Sequence, residues 1–252
     1  ELQKERGMTA GFLGSKGTKF GEKLKSQRRN TDQKSVNKTN FWRDQNFELN
    51  EVVQLNASIE QALQKIASLR QQVDSQSIST GAAIAYYTQL NKSLLSVATL
   101  NAEISTDALV TKETIAYFNF LQGKERAGIE RAVMSNTFAK NAYAPGMLAK
   151  YITLVSEQNT YFDNFKDFSN ADNKRFFDQQ LDHNSVKEVN KIRAIANQKQ
   201  SDFGIEAEYW FAQSTGRIGQ LKKIESHLST RIKSLVKTKE NDAFSAMVFN
   251  VI

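Results

Sequence analysis

The sequence predicts an all-α fold, and three observations support this prediction. Proline occurs only once in 252 residues, and proline is the residue that most disrupts a helix, because it lacks an N–H donor and clashes with the preceding turn. Apolar residues recur at steps of three and four in several segments, as they do on one face of an amphipathic helix. Breaks between these segments are few, which argues against a mixed fold with many strands.

The first half of the chain is expected to form four helices. The glycines of the Gly14–Gly17 stretch end the first helix, because glycine weakens a helix. The third and fourth helices each carry an apolar stripe, one from Leu55 to Val73 and the other from Ile84 to Ile104. The polar Asp74–Ser77 stretch separates them. The four expected helices span about 1–13, 19–44, 49–74 and 81–105.

The second half is expected to form four more helices. Pro145-Gly146 ends the first of them, and the Ser169–Asn173 stretch, which is rich in capping residues, ends the second. The third contains a possible break near Asp182–Asn184. An apolar stripe from Ile218 to Leu235 marks the last helix. These helices span about 106–141, 146–168, 171–199 and 205–239.

A basic motif recurs about 120 residues apart. Lys4-Glu5-Arg6-Gly7 near the start resembles Lys124-Glu125-Arg126-Ala127-Gly128 at mid-chain, and Leu69-Arg70 resembles Ile192-Arg193. A nearly constant offset over half of a chain indicates an internal duplication. Short helix connections favour antiparallel neighbours. We therefore expect one domain over 1–252, built as two up-down four-helix bundles from halves at about 1–105 and 106–240.

The composition argues against several classes of function. The net charge of +7 is dispersed along helix faces, and no recognised nucleic-acid motif is present, so no nucleic-acid partner is expected. The absence of cysteine excludes thiol nucleophiles and Cys-based zinc sites. Neither histidine, His183 or His227, has metal-ligand spacing to the other. We therefore expect no enzyme activity, no cofactor and no metal.

The two Glu-Arg motifs suggest an anion site. If the halves pack together, Arg6 and Arg126 meet near a shared axis, and two guanidinium groups can bind a small oxyanion from opposite sides. Gly7 and Gly128 follow these arginines, and glycine at matched positions favours close backbone approach. The alternative is that each arginine forms an internal ion pair with a nearby acid such as Glu5 or Glu125.

Three stretches, 4–17, 123–132 and 207–218, resemble the NIT domain, a nitrate- and nitrite-sensing module of bacterial receptors. The resemblance covers essentially the whole chain and implies two helical bundles that recognise nitrate or nitrite through arginines near their contact. Arg6 and Arg126 match the family motif. Arg193 and its counterpart in the first half, Arg70, are further candidates by their position in the repeat alone, and Tyr209 is a candidate for the wall of the site.

The expected function is the periplasmic ligand-binding domain of a methyl-accepting chemotaxis receptor in the inner membrane. The chain begins within a helical pattern, and the apolar stretch 244–252 suggests the approach to a membrane segment. A homodimer is expected from analogy with chemoreceptors. Two alternatives stay open: a helical interaction or signal-transmission module without an anion ligand, and a sensor of another small anion such as formate.

Overall fold

The structure, a computed structural model, describes the backbone of residues 1–249 and the side chains of residues 1–242. The described residues form helices and short connections and contain no strand, only an isolated antiparallel bridge between Ala142 and Ser201. The predicted all-α class is therefore confirmed. None of the described helices combines the length and hydropathy that crossing a membrane requires.

Ten helices follow one another within the described backbone. They are α1 (Leu2–Gly14), α2 (Gly21–Asp44), α3 (Asn50–Gln64), α4 (Ile66–Asp74), α5 (Thr80–Ile104), α6 (Ala108–Lys140), α7 (Met147–Phe168), α8 (Ala171–Leu181), α9 (Asn184–Gln198) and α10 (Ala207–Phe249). The helix α10 extends beyond the expected end at 239. Residues 250–252 of the apolar stretch, and all its side chains, lie outside the described residues.

Two of the eight expected helices are interrupted. The expected helix 171–199 divides into α8 and α9, where the His183 ring caps α9 by accepting a hydrogen bond from the Ser185 amide at 3.1 Å. The expected helix 49–74 divides at Lys65. Near that break, the Tyr86 hydroxyl donates to the Ala62 carbonyl at 2.6 Å. This tertiary contact occupies a carbonyl at the end of α3, and local periodicity does not predict it.

The core consists of three hydrophobic clusters, and the predicted apolar stripes contribute to them. Leu69 and Val73 lie in a cluster formed by α1, α2, α4 and α5. The other two clusters are formed mainly by α6–α10, and the α10 stripe from Ile218 to Leu228 is buried in one of them. Burial of such side chains stabilises the fold by about 1.5–3 kcal/mol each.

Helix α1 lies against α2, α5 and α6, while α6 also contacts α7 and α10. The α1–α6 and α5–α6 contacts join the two halves of the sequence. Unusually for so short a helix, α1 buries charged as well as apolar residues, including Glu5 and Arg6. These contacts do not test the internal duplication or the two-bundle layout, which stay predictions.

A candidate anion site between two buried arginines

Two fully buried arginines meet where α1 packs on α6. Arg6 and Arg131 are both 0% exposed. A Cβ atom built on Gly7 would lie 3.1 Å from Nε of Arg131, and one built on Gly128 would lie 2.7 Å from Nη2 of Arg6. Each guanidinium group therefore lies against a glycine of the opposite helix. We call these four residues, together with Glu125, the arginine seam.

The hydrogen bonds of Arg6 leave one edge of its guanidinium group free. Nη1 donates to the carboxylate of Glu125 and, at 3.0 Å, to the hydroxyl of Thr88. Nε and Nη2 are buried and have no hydrogen-bond partner. These two nitrogens form the side edge of the guanidinium group, whose parallel N–H bonds match two oxygens of a planar oxyanion.

Arg131 supplies a third free donor. Its Nη1 donates to the Thr215 hydroxyl and its Nη2 to the carbonyl of Gln3, both at 2.9 Å, but its buried Nε has no partner. The guanidinium carbon lies 4.9 Å from the centre of the Phe211 ring. Buried N–H groups without partners are rare in folded proteins because leaving them unpaired is costly.

Arg131 carries its charge in an unfavourable environment. Among the described residues, no carboxylate lies within ion-pair distance of its guanidinium group. The pKa of Arg131 is lowered to about 9. Burial is the largest cause, the positive charge of Arg6 adds to it, and the carboxylate of Glu125 opposes both effects. An anion placed beside Arg131 would relieve this destabilisation.

The charges of the seam favour a small anion. Two guanidinium groups face one carboxylate, so the seam holds one excess positive charge, and it also holds three unpartnered N–H donors. Buried charge of one sign is expensive unless a counter-charge is close. The chemistry of the donors and the charge balance both fit a planar oxyanion with a single negative charge.

A cavity of about 590 Å³ borders the seam at Arg131. Thr215 also lines it, and its walls include apolar side chains from α1, α3, α5 and α10. Five lysines also border it: Lys4, Lys34, Lys38, Lys124 and Lys222. The carboxylates of Glu1 and Glu225 border it as well, so positive side chains outnumber negative ones in the lining. A cleft with an excess of positive charge raises the local concentration of anions, and the cavity therefore suits the approach of an anion to Arg131.

Arg126 does not meet Arg6, so the predicted pair is wrong as a geometric arrangement. Its Nε donates to Glu157 at 3.1 Å, and its guanidinium carbon lies 4.6 Å from the centre of the Tyr161 ring. Both partners are on α7. Positions 126 and 131 are five residues apart, which places them about 140° apart around the helix axis. Arg126 thus faces α7, while Arg131 faces α1.

The alternative of internal ion pairs is observed for Arg6 with Glu125 and for Arg126 with Glu157.

The remaining predicted residues have different positions. Gly7 and Gly128 lie in the seam. Arg193 lies elsewhere, because its Nε and Nη2 donate to the buried carboxylate of Glu130, both at 2.7 Å. Tyr209 is 45% exposed, and its hydroxyl donates to Glu188. Tyr209 therefore does not line the seam. Its neighbour Trp210 is buried, and the indole N–H donates to the Arg131 carbonyl at 3.0 Å.

Arg131 is the residue that sequence reasoning missed, although a signal was present. Glu130-Arg131 repeats Glu5-Arg6 five residues after the motif that was matched to it. In the structure, Glu5 pairs with Arg70, and Glu130 pairs with Arg193. Because these two ion pairs are alike, Glu130-Arg131 is the counterpart of Glu5-Arg6, and Glu125-Arg126 is not.

Comparisons with known proteins agree with an anion site. A family model described as nitrate and nitrite sensing matches residues 1–233. The nitrate regulatory protein of Klebsiella oxytoca is 26% identical over 168 residues, which is 66% of this chain and 42% of that protein. The solved structure of the NasR transcription antiterminator superposes with a TM-score of 0.84 at 24% identity, covering 94% of this chain and 65% of that one. This last similarity shows the fold alone. The chain spans less than two thirds of the length of either relative.

These comparisons overturn the expected receptor context. The relatives are a nitrate regulatory protein and a transcription antiterminator, not chemotaxis receptors. The expectation of a periplasmic domain of an inner-membrane chemoreceptor is therefore wrong, and nothing supports a membrane-anchored parent. The homodimer and the absence of a nucleic-acid partner stay predictions.

Proposed function

The chain belongs to the nitrate and nitrite sensing family, and from this premise we propose that it is the anion-sensing domain of a regulatory protein and binds nitrate or nitrite in the arginine seam. The observation that carries the proposal is the pair of buried guanidinium groups with free N–H donors at the α1–α6 contact. Its relatives, a nitrate regulatory protein and a transcription antiterminator, support a regulatory host protein.

Nitrate suits the donors of the seam. It is planar and carries one negative charge, so two of its oxygens can accept from Nε and Nη2 of Arg6 while the third faces Nε of Arg131. Each charge-assisted hydrogen bond contributes about 1.5–3 kcal/mol. Because association and ordering oppose these contributions, we expect binding in the micromolar range.

Anion binding requires a rearrangement within the seam. In the described structure each guanidinium group lies against the opposite glycine, so an anion enters only if at least one arginine side chain moves. The anion also removes the repulsion between Arg6 and Arg131. A ligand shifts a conformational equilibrium by its difference in affinity for the two states. A packing of α1 on α6 that brings both arginines onto the anion is therefore favoured when nitrate is bound.

Arg131→Gln tests the proposal. The substitution removes one cation that has no ion-pair partner, so the protein without anion should stay folded. Removing Arg6 instead would leave Glu125 buried and unpaired, which is strongly destabilising. We expect isothermal titration calorimetry at constant ionic strength to show nitrate binding in the wild type and its loss in Arg131→Gln.

The matched control is Arg126→Gln, on the same helix but facing α7, which should bind nitrate as the wild type does. Wild-type affinity in folded Arg131→Gln would refute the seam as the site. If millimolar nitrate left the melting temperature of the wild type unchanged, the interaction-module alternative would be favoured instead, because a ligand that binds only the folded state must raise it.

A further inference from the structure

We propose that Glu125 sets the charge selectivity of the seam, so that it accepts a monovalent oxyanion and rejects a divalent one. This inference rests on the proposed function, since it concerns which anions the same site admits. It goes beyond that function by giving Glu125, which is already paired with Arg6, a role in discriminating between anions of different charge.

Glu125 is held as a permanent part of the site. Its side chain lies on α6, it is 3% exposed, and one carboxylate oxygen accepts from Nη1 of Arg6. The other oxygen accepts from the Gln3 side-chain amide at 2.5 Å. The Gln3 carbonyl in turn accepts from Arg131. Because both oxygens are bound within the protein, the carboxylate is held in the seam by α1.

The neighbouring buried charges do not alter the charge of the seam. Glu5 is paired with Arg70, whose Nε lies 2.8 Å from it. Lys124 is paired with Glu225 at 2.5 Å. Glu130 lies between Arg193 at 2.7 Å and Arg217 at 3.7 Å, so this cluster keeps one excess positive charge of its own, which is the same in every variant compared below. The seam itself is left with the charges of Arg6, Arg131 and Glu125, which amount to one excess positive charge.

One excess positive charge matches a monovalent anion. A bound nitrate neutralises the seam, whereas a bound sulfate leaves an excess negative charge in a buried environment, which is costly. Without the carboxylate, the seam would hold two excess positive charges and would match a divalent anion instead. Glu125 therefore repels every entering anion, but it repels a dianion twice as strongly as a monoanion.

The ratio of the Kd for sulfate to the Kd for nitrate isolates the repulsion by Glu125. Sulfate loses more hydration than nitrate when it enters the seam, but that loss is the same in the wild type and in a Glu125 variant and cancels between them. The dianion carries one more unit charge than the monoanion. With that charge about 5 Å from the carboxylate and an effective dielectric constant of about 20, removing the carboxylate should lower the ratio of the Kd for sulfate to the Kd for nitrate by about 200-fold.

The experiment compares Glu125→Gln with Glu113→Gln by calorimetry with sodium nitrate and sodium sulfate at constant ionic strength. Glu113 is also buried and also lies on α6, twelve residues or about 18 Å away, where its carboxylate accepts from Asn170 and Asn173. We expect the ratio to fall about 200-fold in Glu125→Gln and to stay at the wild-type value in Glu113→Gln. Glu125→Asp, which keeps the charge, should keep the discrimination.

A ratio that stays within threefold of the wild type in Glu125→Gln overturns the inference. That result leaves the proposed function intact if nitrate binding still requires Arg131, so the two failures are distinguishable. If Glu125→Gln is too unstable for calorimetry, melting in each salt replaces it. Sulfate also stabilises proteins non-specifically, and Glu113→Gln measures that contribution. A sulfate effect in Glu125→Gln no larger than in Glu113→Gln also overturns the inference.

Discussion

Replacing Gly128 with alanine places a methyl group beside the Arg6 guanidinium group. The new Cβ would lie 2.7 Å from Nη2 of Arg6, closer than carbon and nitrogen atoms approach without a bond. The atom in its way is the far end of a flexible side chain, so Arg6 moves and the helix backbone does not. The substitution therefore perturbs the seam without removing either of its cations.

The size of the effect follows from the contacts of Arg6. Alanine is favoured over glycine within a helix by about 0.8–1 kcal/mol. Displacing the guanidinium group weakens its bonds to Glu125 and Thr88, at a cost of about 1–3 kcal/mol. The net stability should fall by about 0–2 kcal/mol. The methyl group also obstructs the free Nε–Nη2 edge, and losing one charge-assisted bond there weakens nitrate binding by about 10- to 100-fold.

Gly81→Ala is the matched control. Gly81 lies in the first turn of α5 and does not line the cavity beside the seam, and a Cβ atom there would meet nothing within 4 Å. This variant gains only the greater helix preference of alanine over glycine, so its melting temperature should rise by about 2–4 °C. Its nitrate affinity should not change. Calorimetry and thermal melting of both variants test the reasoning. Wild-type nitrate affinity in Gly128→Ala would refute the role of the Arg6 edge.

Three further predictions concern the same helices. Because burial lowers the pKa of Arg131 to about 9, the unfolded protein binds more protons than the folded one above that pH. The wild type should therefore gain stability relative to Arg131→Gln as pH rises from 8 to 10. Nitrate should raise the melting temperature of the wild type less at pH 10 than at pH 8. Parallel pH profiles of stability for the two proteins would contradict this. Tyr87→Phe removes a buried 2.8 Å hydrogen bond to Glu5 and should cost about 1–2 kcal/mol in urea unfolding with little change in nitrate affinity; an unchanged unfolding midpoint would show that this bond adds no stability. Gly11→Ala would put a Cβ atom 2.5 Å from the Phe20 ring and should lower stability by about 1–3 kcal/mol in the same assay; a gain in stability would show that the ring relaxes freely.

Local sequence signals predicted most of the helices of this protein. The apolar stripes and the sparse glycine and proline residues located the helices, because hydrophobic periodicity and backbone preference act over a few residues. The boundaries of α5 and α7 lie within a few residues of expectation. The break at Lys65 was missed, because it lies beside a contact between Ala62 and Tyr86 of a different helix.

The structure brings only part of the predicted set of site residues together: Arg6, Gly7 and Gly128 lie in the seam, whereas Arg126, Arg193 and Tyr209 lie elsewhere. Composition and motif similarity pointed to arginines, close glycines and a small anion. Arg126 and Arg131 both follow a glutamate on the same helix, so the motif does not distinguish them. The packing of α6 between α1 and α7 does, because it turns Arg126 towards Glu157 and Arg131 towards Arg6.

The sequence by itself determined the all-α fold and the presence of the Glu-Arg motifs, because both depend on neighbours along the chain. Only the tertiary structure decided which arginines share a seam and which have acidic partners, since those outcomes depend on which helix faces which. Arg6 and Arg131 lie 125 positions apart in the sequence, and the close approach of α1 and α6 at Gly7 and Gly128 brings them together.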